Sequence, residues 1–210
     1  MMMPTIIIIF LFIIYCITTN KLSPIYLLSH DRAMSSRHKA IAIPMHIIND
    51  EPHFLIVHDR RFKEWTFVTG GCRKREIYNP LRCALRELEE ETRGVVNIKA
   101  GAYSYYKFDI QDEEDSEMTN VYHVYILDFP MSLRDQEKII TRFNMNKEMM
   151  TSNKIRFKKQ YDENDFINFD TMNSIQNRSD IWNMIKIYVI RNIKFKDAIY
   201  SKRTTFNLKK

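Results

Sequence analysis

Three glutamates near the middle of the chain, Glu87, Glu90 and Glu91, are spaced so that a helix sets them within about 100° of one another on one side. Like charges one turn apart destabilise a helix by about a few tenths of a kcal/mol. A sequence that keeps three of them together needs either open solvent or a cation. Oxygen donors of this kind suit Mg2+ or Mn2+, hard ions that bridge carboxylates and phosphates. Upstream, Gly70 and Gly71 offer backbone that a diphosphate can approach closely. Arg86 precedes the first of the three acids and can brace a carboxylate of the preceding loop, with Glu76 the evident partner.

The helix that must carry these acids has its own signals. Asn79 is a natural N-cap, Pro80 sits at the first helical position, where its missing N–H costs nothing, and Gly94 suits the stop. Leu81, Ala84, Leu85 and Leu88 share a second face, which must pack on a sheet.

In this order the residues resemble the Nudix box: Gly, five residues, Glu, seven residues, then Arg-Glu-hydrophobic-any-Glu-Glu-any-Gly-hydrophobic. Here Gly70 is followed after five residues by Glu76, and Arg86-Glu87-Leu88-Glu89-Glu90-Glu91-Thr92 follows. Nine residues instead of seven separate Glu76 from Arg86, so the loop must bulge. Arg93 stands where the last glycine is usual, with Gly94 behind it.

The resemblance implies an α/β (α+β) fold, a mixed β-sheet sandwiched between α-helices, over residues 34–200. It implies a hydrolase that uses Mg2+ or Mn2+ to cleave a pyrophosphate bond in a nucleoside diphosphate-linked substrate. Glu87, Glu90 and Glu91 would hold metal. Glu87, Glu90, Arg86 and Glu163 would serve catalysis, with Glu90 expected to help deprotonate the attacking water. The acid outside the box is taken as Glu163, with Glu114 and Glu117 as alternatives. Arg60, Arg61, Gly70 and Gly71 are the expected substrate contacts, the arginines by charge.

The substrate the resemblance leads one to expect is a small nucleotide (an ADP-ribose-like compound or a nucleoside triphosphate) or an mRNA cap. A formal charge of +6 and the basic segment Lys154–Lys159 favour an anionic partner, nucleic acid included. Tyr103, Tyr105 and Tyr106 are candidates to stack a cap base. The Ile-, Asn- and Lys-rich composition fits an AT-rich genome, such as those of large DNA viruses, which encode decapping members of the family. The alternative is a Nudix-fold module that binds nucleotide or RNA without turnover, favoured by the lengthened loop and the displaced glycine.

Around the box the pattern alternates strand and helix. Strands are expected over Lys39–Ile48, His53–Val57, Trp65–Val68, Val95–Ile110 and Asn120–Phe129, with a turn at Asn49–Pro52 and an acidic hairpin tip at Gln111–Glu117. A patchy helix over Ser132–Met150, a short edge strand over Phe166–Phe169 and one C-terminal helix over Asp180–Ile193 complete the domain. Residues 201–210 read as a basic, frayed tail.

The 210 residues, 45% hydrophobic and 28% charged, are enough to bury a real core, and four glycines with six prolines exclude a collagenous or Gly/Pro-rich chain. Cys16, Cys72 and Cys83 contain no C-x-x-C pair, which excludes a zinc ribbon or a thioredoxin-like centre and leaves reduced thiols as the expectation. Residues 1–33 are an apolar leader whose run Ile6–Ile17 is shorter than the roughly 20 residues a bilayer span needs. Three readings stand for it: an upstream extension before a natural start at Met34, a membrane anchor, or a cleaved signal. A cytoplasmic location, in the host if viral, is the expectation, with attachment through residues 6–17 open and no signal for oligomeric state.

Overall fold

Apolar residues fill both alternating positions of the first two strands, as they must in a sheet covered on both faces. The computed structural model describes residues 35–152 and 161–208. Strands β1 (Ser35–Ile48) and β2 (Glu51–Asp59) pair antiparallel across a turn in which Asn49 (φ 50°) and Asp50 (φ 63°) are both left-handed. A two-residue hairpin requires that conformation, and Asn and Asp tolerate it best after glycine. The turn is therefore tighter than the expected 49–52, and Pro52 lies within β2.

The remaining strands are β3 (Trp65–Thr66), β4 (Val68–Gly71), β5 (Ala100–Gln111), β6 (Met118–Asp128), β7 (Asn164–Thr171) and β8 (Thr204–Asn207). They form one eight-stranded sheet in the order β3-β2-β1-β6-β5-β8, with β4 paired to β1 and β7 to β2. Helices α1 (Pro80–Glu91) and α2 (Leu133–Thr151) cover one face. There Ala40, Ala42, Leu55, Val57 and Leu127 meet Leu81, Ala84, Leu85, Leu88 and Phe143. The other face carries α3 (Met172–Asn177), a π-helical stretch (Ile185–Ile190) and α4 (Ile193–Tyr200), which pack on Ile41, Ile43, Phe54, Ile56, Val124 and Ile126. The expected sheet between helices is the architecture found.

Several boundaries differ from the sequence pattern, each for a packing reason. The strand expected from Val95 begins at Ala100, because Val96 and Ile98 are spent on the core beneath α1 before pairing starts. The single helix expected over Asp180–Ile193 is divided: Asn192 leaves helical geometry and its side chain accepts the Lys194 N–H at 2.9 Å, capping a new helix. The described part of the tail, residues 201–208, is not frayed. Residues Thr204–Asn207 pair with β5, Phe206 packs into the core, and the Leu208 N–H reaches the Lys99 carbonyl at 2.8 Å. An open sheet edge was available, and the tail covers it.

The leader, Met34 and the basic segment Lys154–Lys159 fall outside the described residues. Among the described residues no helix is long and apolar enough to cross a membrane.

Candidate active site

Helix α1 starts as its sequence signals require. Pro80 is at the first position and Asn79 at the N-cap, although the Asn79 side chain makes no cap hydrogen bond. Its end is less ordinary, since Arg93 (φ 54°) and Gly94 (φ 71°) are both left-handed, and the Gly94 N–H closes the helix on the Glu89 carbonyl at 2.7 Å.

The two extra residues of the loop are taken up locally. A 3-10 turn over Lys74–Glu76 (Glu76 N–H to the Arg73 carbonyl, 2.8 Å) runs into a second turn (Asn79 N–H to the Glu76 carbonyl, 2.9 Å). The bulge goes outward, leaving Tyr78 94% exposed, while Glu76 is buried. Cys72 and Cys83 are joined as a disulfide across this loop, with Cα atoms 5.3 Å apart. That corrects the expectation of reduced thiols: the fold brings the residue after Gly71 against the first turn of α1, a proximity their separation in sequence does not reveal.

Arg86 is the hub. Its Nε and Nη2 donate to the two oxygens of Glu76, both at 2.8 Å. Nη1 donates to Glu87 at 2.7 Å and to Glu90 at 2.8 Å, and Nη2 also reaches the Gly71 carbonyl at 3.0 Å. The brace between Arg86 and Glu76 thus forms despite the longer loop. Arg86 holds the Glu76 carboxyl below the usual carboxylate range, aided by the Arg73 backbone N–H at 2.9 Å. Arg73 also reaches the second oxygen of Glu90 at 3.3 Å.

The other acids behave oppositely. Glu91 is buried; the Asn164 amide donates to it at 3.1 Å and the Thr69 backbone also bonds it, yet burial and the charges of Glu87 and Glu163 push its carboxyl well above the ordinary range. Burial also raises Glu87, against the pull of Arg86. Glu163 is raised by desolvation and by the like charges of Asp59 and Glu90.

Two of these acids, Glu91 and Glu163, line a cavity of about 290 Å³ together with Lys39, Asp59, Phe62, Glu64, Thr66, Thr69, Gly70, Gly71, Asn164 and Trp182. The structure brings Glu163 to the box, about seventy positions away in sequence. Glu114 and Glu117 lie at the tip joining β5 to β6 and do not line the cavity. Arg60 and Arg61 do not line it either: Arg60 forks onto Asp162 (2.7 and 2.8 Å) and reaches Asp165 (3.0 Å), and Arg61 lies over the ring of Phe62. Of the three tyrosines, Tyr106 is in the core, Tyr103 packs between Tyr125 and Phe206, and Tyr105 keeps about half its surface open beside His123.

Sequence reasoning missed the cavity's own cation and its aromatic walls. Lys39 looked like the first residue of a strand; burial now lowers its amine, which donates to the Tyr122 hydroxyl at 3.4 Å. Phe62 follows the two arginines directly. Trp182 is held by backbone bonds on both sides of Trp65 (Trp65 N–H to the Asp180 carbonyl, Trp182 N–H to the Trp65 carbonyl, both 2.8 Å), which no local pattern announces.

Gly70 has a requirement different from the expected approach of a diphosphate. A Cβ there would lie 2.0 Å from the Glu87 carboxyl carbon, whereas one at Gly71 would meet nothing within 4 Å. Gly70→Ala should therefore cost under about 1 kcal/mol of stability, because the tip of a flexible side chain can move. It should lower kcat/KM by roughly tenfold or more, because Glu87 is displaced. Melting curves and steady-state kinetics read the two effects separately.

Glu87 and Glu91 are the oxygen donors that a divalent cation would call on here. Glu91 and Glu87 are held where their ionised forms are disfavoured, which a cation would reverse. Among the described residues no group of three or more His, Cys, Asp or Glu is placed so that it could hold a metal ion.

Among solved structures the chain is similar to an Ap4A hydrolase of C. elegans in its binary complex, at 12% identity, TM-score 0.48, covering 78% of this chain and 97% of that one. It is similar to a mutT/nudix family protein of Listeria innocua at 14% identity, TM-score 0.47, covering 79% and 93%. It is also similar to the NUDIX domain of Shewanella oneidensis NrtR complexed with ADP ribose, at 11% identity, TM-score 0.44, covering 77% and 91%. No curated protein sequence matches the chain. Residues 37–162, more than half of the chain, match the NUDIX domain, so the protein belongs to the NUDIX domain family.

Proposed function

We propose that the protein is a divalent-cation-dependent pyrophosphohydrolase acting on a nucleoside diphosphate linked to a further group. One observation carries this reading: Glu91 and Glu163 share a single cavity with Lys39, Phe62 and Trp182. The aromatic pair offers flat apolar surface to a nucleobase, and Lys39 is a cation for a phosphate oxygen. With Mg2+ or Mn2+ held by Glu87, Glu90 and Glu91, the cation would neutralise charge on the phosphate oxygens.

Arg86 holds the carboxylates of Glu87 and Glu90 at a fixed spacing, and Gly70 leaves room for the first of them. Glu163, whose proton affinity is raised, takes the proton of the attacking water. Glu90 is less suited to that task, since both its oxygens already accept from guanidinium groups.

Cation binding should show in stability before any substrate is known. Glu87, Glu91 and Glu163 have raised carboxyl values, so their contribution to stability is present at low pH and is lost as pH rises through those values. A cation that replaces the protons restores it. The rise in Tm on adding Mn2+ should be close to zero at about pH 4 to 5 and grow towards about pH 8. A shift that does not grow with pH would remove the metal assignment.

Function itself is tested by incubating the protein with Mn2+ and ADP-ribose-like compounds, dinucleotide polyphosphates, nucleoside triphosphates and capped RNA, with products identified by mass. Release of a nucleoside monophosphate or phosphate from one class supports the reading. Binding without any release would favour the second reading, a nucleotide-binding module, which the double engagement of Glu87 and Glu90 by Arg86 makes specific.

A further inference from the structure

Arg93 occupies the place where the box pattern has glycine, and its backbone is left-handed there, a conformation glycine would adopt at less cost. Its side chain is wholly buried, and two of its nitrogens, Nε and Nη1, have no hydrogen-bond partner among the described residues. A residue chosen for stability alone would not combine a strained backbone with buried unpaired donors.

What Arg93 does touch explains its presence. Its Nη2 donates to the Asn164 carbonyl at 2.5 Å and to the Asp162 carboxylate at 3.3 Å, and its guanidinium carbon lies 4.0 Å from the centre of the Phe143 ring. Both polar partners are the immediate neighbours of Glu163. From the opposite side Arg60 forks onto Asp162, and its backbone N–H donates to the Glu163 carbonyl at 3.0 Å. Asn164 in turn donates to Glu91.

The backbone of Glu163 is thus fixed before, at and after the residue. That matters because Glu163 faces the like charges of Asp59 and Glu90, and an acid on an unrestrained segment would swing out to water. We propose that Arg93, seconded by Arg60, is a positioning residue that holds the segment Asp162–Asn164 so that Glu163 points into the cavity. The exchange of glycine for arginine at the end of the box and the acid outside the box are then one device. The inference rests on the proposed hydrolase reading for the task of Glu163, but the clamp itself can be read without any turnover.

The test pairs Arg93→Gly, which suits the left-handed backbone, with Glu163→Gln and the double variant. Amide hydrogen exchange of residues 161–165 should speed up by about tenfold or more in Arg93→Gly, while α1 stays protected. Unchanged protection there would overturn the proposal whether or not a substrate is known. With a turned-over substrate, Arg93→Gly should lower kcat by about 10- to 100-fold with KM within about threefold, yet add less than about twofold once Glu163 is already Gln. Additive losses would show that Arg93 acts otherwise than through Glu163. Should Arg93→Gly fail to fold, Asp162→Ala removes the contacts of Arg93 and Arg60 to Asp162 at a partly exposed position and is judged by the same exchange and the same cycle. If the wild type hydrolyses nothing while the exchange result holds, the hydrolase reading falls and the clamp stands.

Discussion

Glu91→Gln is expected to cut turnover by about two orders of magnitude or more while making the metal-free protein more stable. The variant keeps a side-chain carbonyl to accept from Asn164, so the packing of a residue only 7% exposed is retained. What it removes is a charge that burial, Glu87 and Glu163 all oppose. In the unfolded chain that carboxyl ionises near its ordinary value of 4.5, whereas in the folded protein it ionises well above this. Every pH between the two values therefore carries a penalty that Gln does not have. Above that window the gain from Gln should be largest, and below about pH 4 it should vanish, both carboxyls then being neutral. A Tm increase of about 2 to 4 °C per kcal/mol is the scale on which to read it.

The same substitution removes a donor for the divalent cation, so kcat should fall by about two orders of magnitude or more and the Mn2+-induced rise in Tm should shrink. Glu89→Gln, one of the four acids of α1 but not among the cavity-lining residues, is the control and should alter neither reading. A Glu91→Gln protein that turns substrate over normally, or that melts lower at neutral pH, would show that this carboxylate is not poised for a cation.

Arg86→Ala should be the most damaging single change to the fold near the site. The guanidinium is 17% exposed and serves Glu76, Glu87 and Glu90, whose side chains are 9, 13 and 9% exposed. Removing it strands three carboxylates at once, and breaking a buried pair costs about 3 to 5 kcal/mol. For a chain of this size that is a fall in Tm of roughly 6 to 20 °C. Arg86→Lys should recover only part of it, because one ammonium cannot fork onto Glu76 while also reaching Glu87 and Glu90.

Arg73→Ala makes a useful comparison. Its single bond to Glu90 is 3.3 Å long from a side chain 45% exposed, and its loss should cost under about 1 kcal/mol. Acid should level the difference between wild type and Arg86→Ala. Arg86 depresses the Glu76 carboxyl, so that contribution is present above the ordinary carboxylate range and is lost as pH falls through the folded value. Thermal melts at several pH values check both statements, and equal stability of Arg86→Ala and wild type at neutral pH would contradict the hub.

How much of this was legible beforehand follows from the range of each interaction. Helix α1, with Pro80 at its start and its leucines buried, was written locally, because side chains three and four residues apart must share a face whatever surrounds them. The sheet between helices was legible for the same reason: alternation and turn residues act over a few positions, and the box motif placed them in a known family. The acid triplet and the Arg86–Glu76 brace also lie within one short stretch of chain.

Tertiary structure decided the rest, since it depends on which distant segments meet. Glu163 reaches the cavity because β7 pairs with β2, not because of its neighbours in sequence. Lys39, Phe62 and Trp182 come from three separate segments, and Arg60, a plausible phosphate contact by charge alone, is claimed by Asp162 and Asp165 once the loop folds. Arg93 is the sharpest case. As a letter it looked like a damaged glycine position, and only the packing of α1, α2 and β7 around one guanidinium turns it into a clamp. The sequence settles chemistry that is local, and the fold settles which charges are buried and which distant groups they pair with, because burial and long-range pairing exist only once the chain has closed on itself.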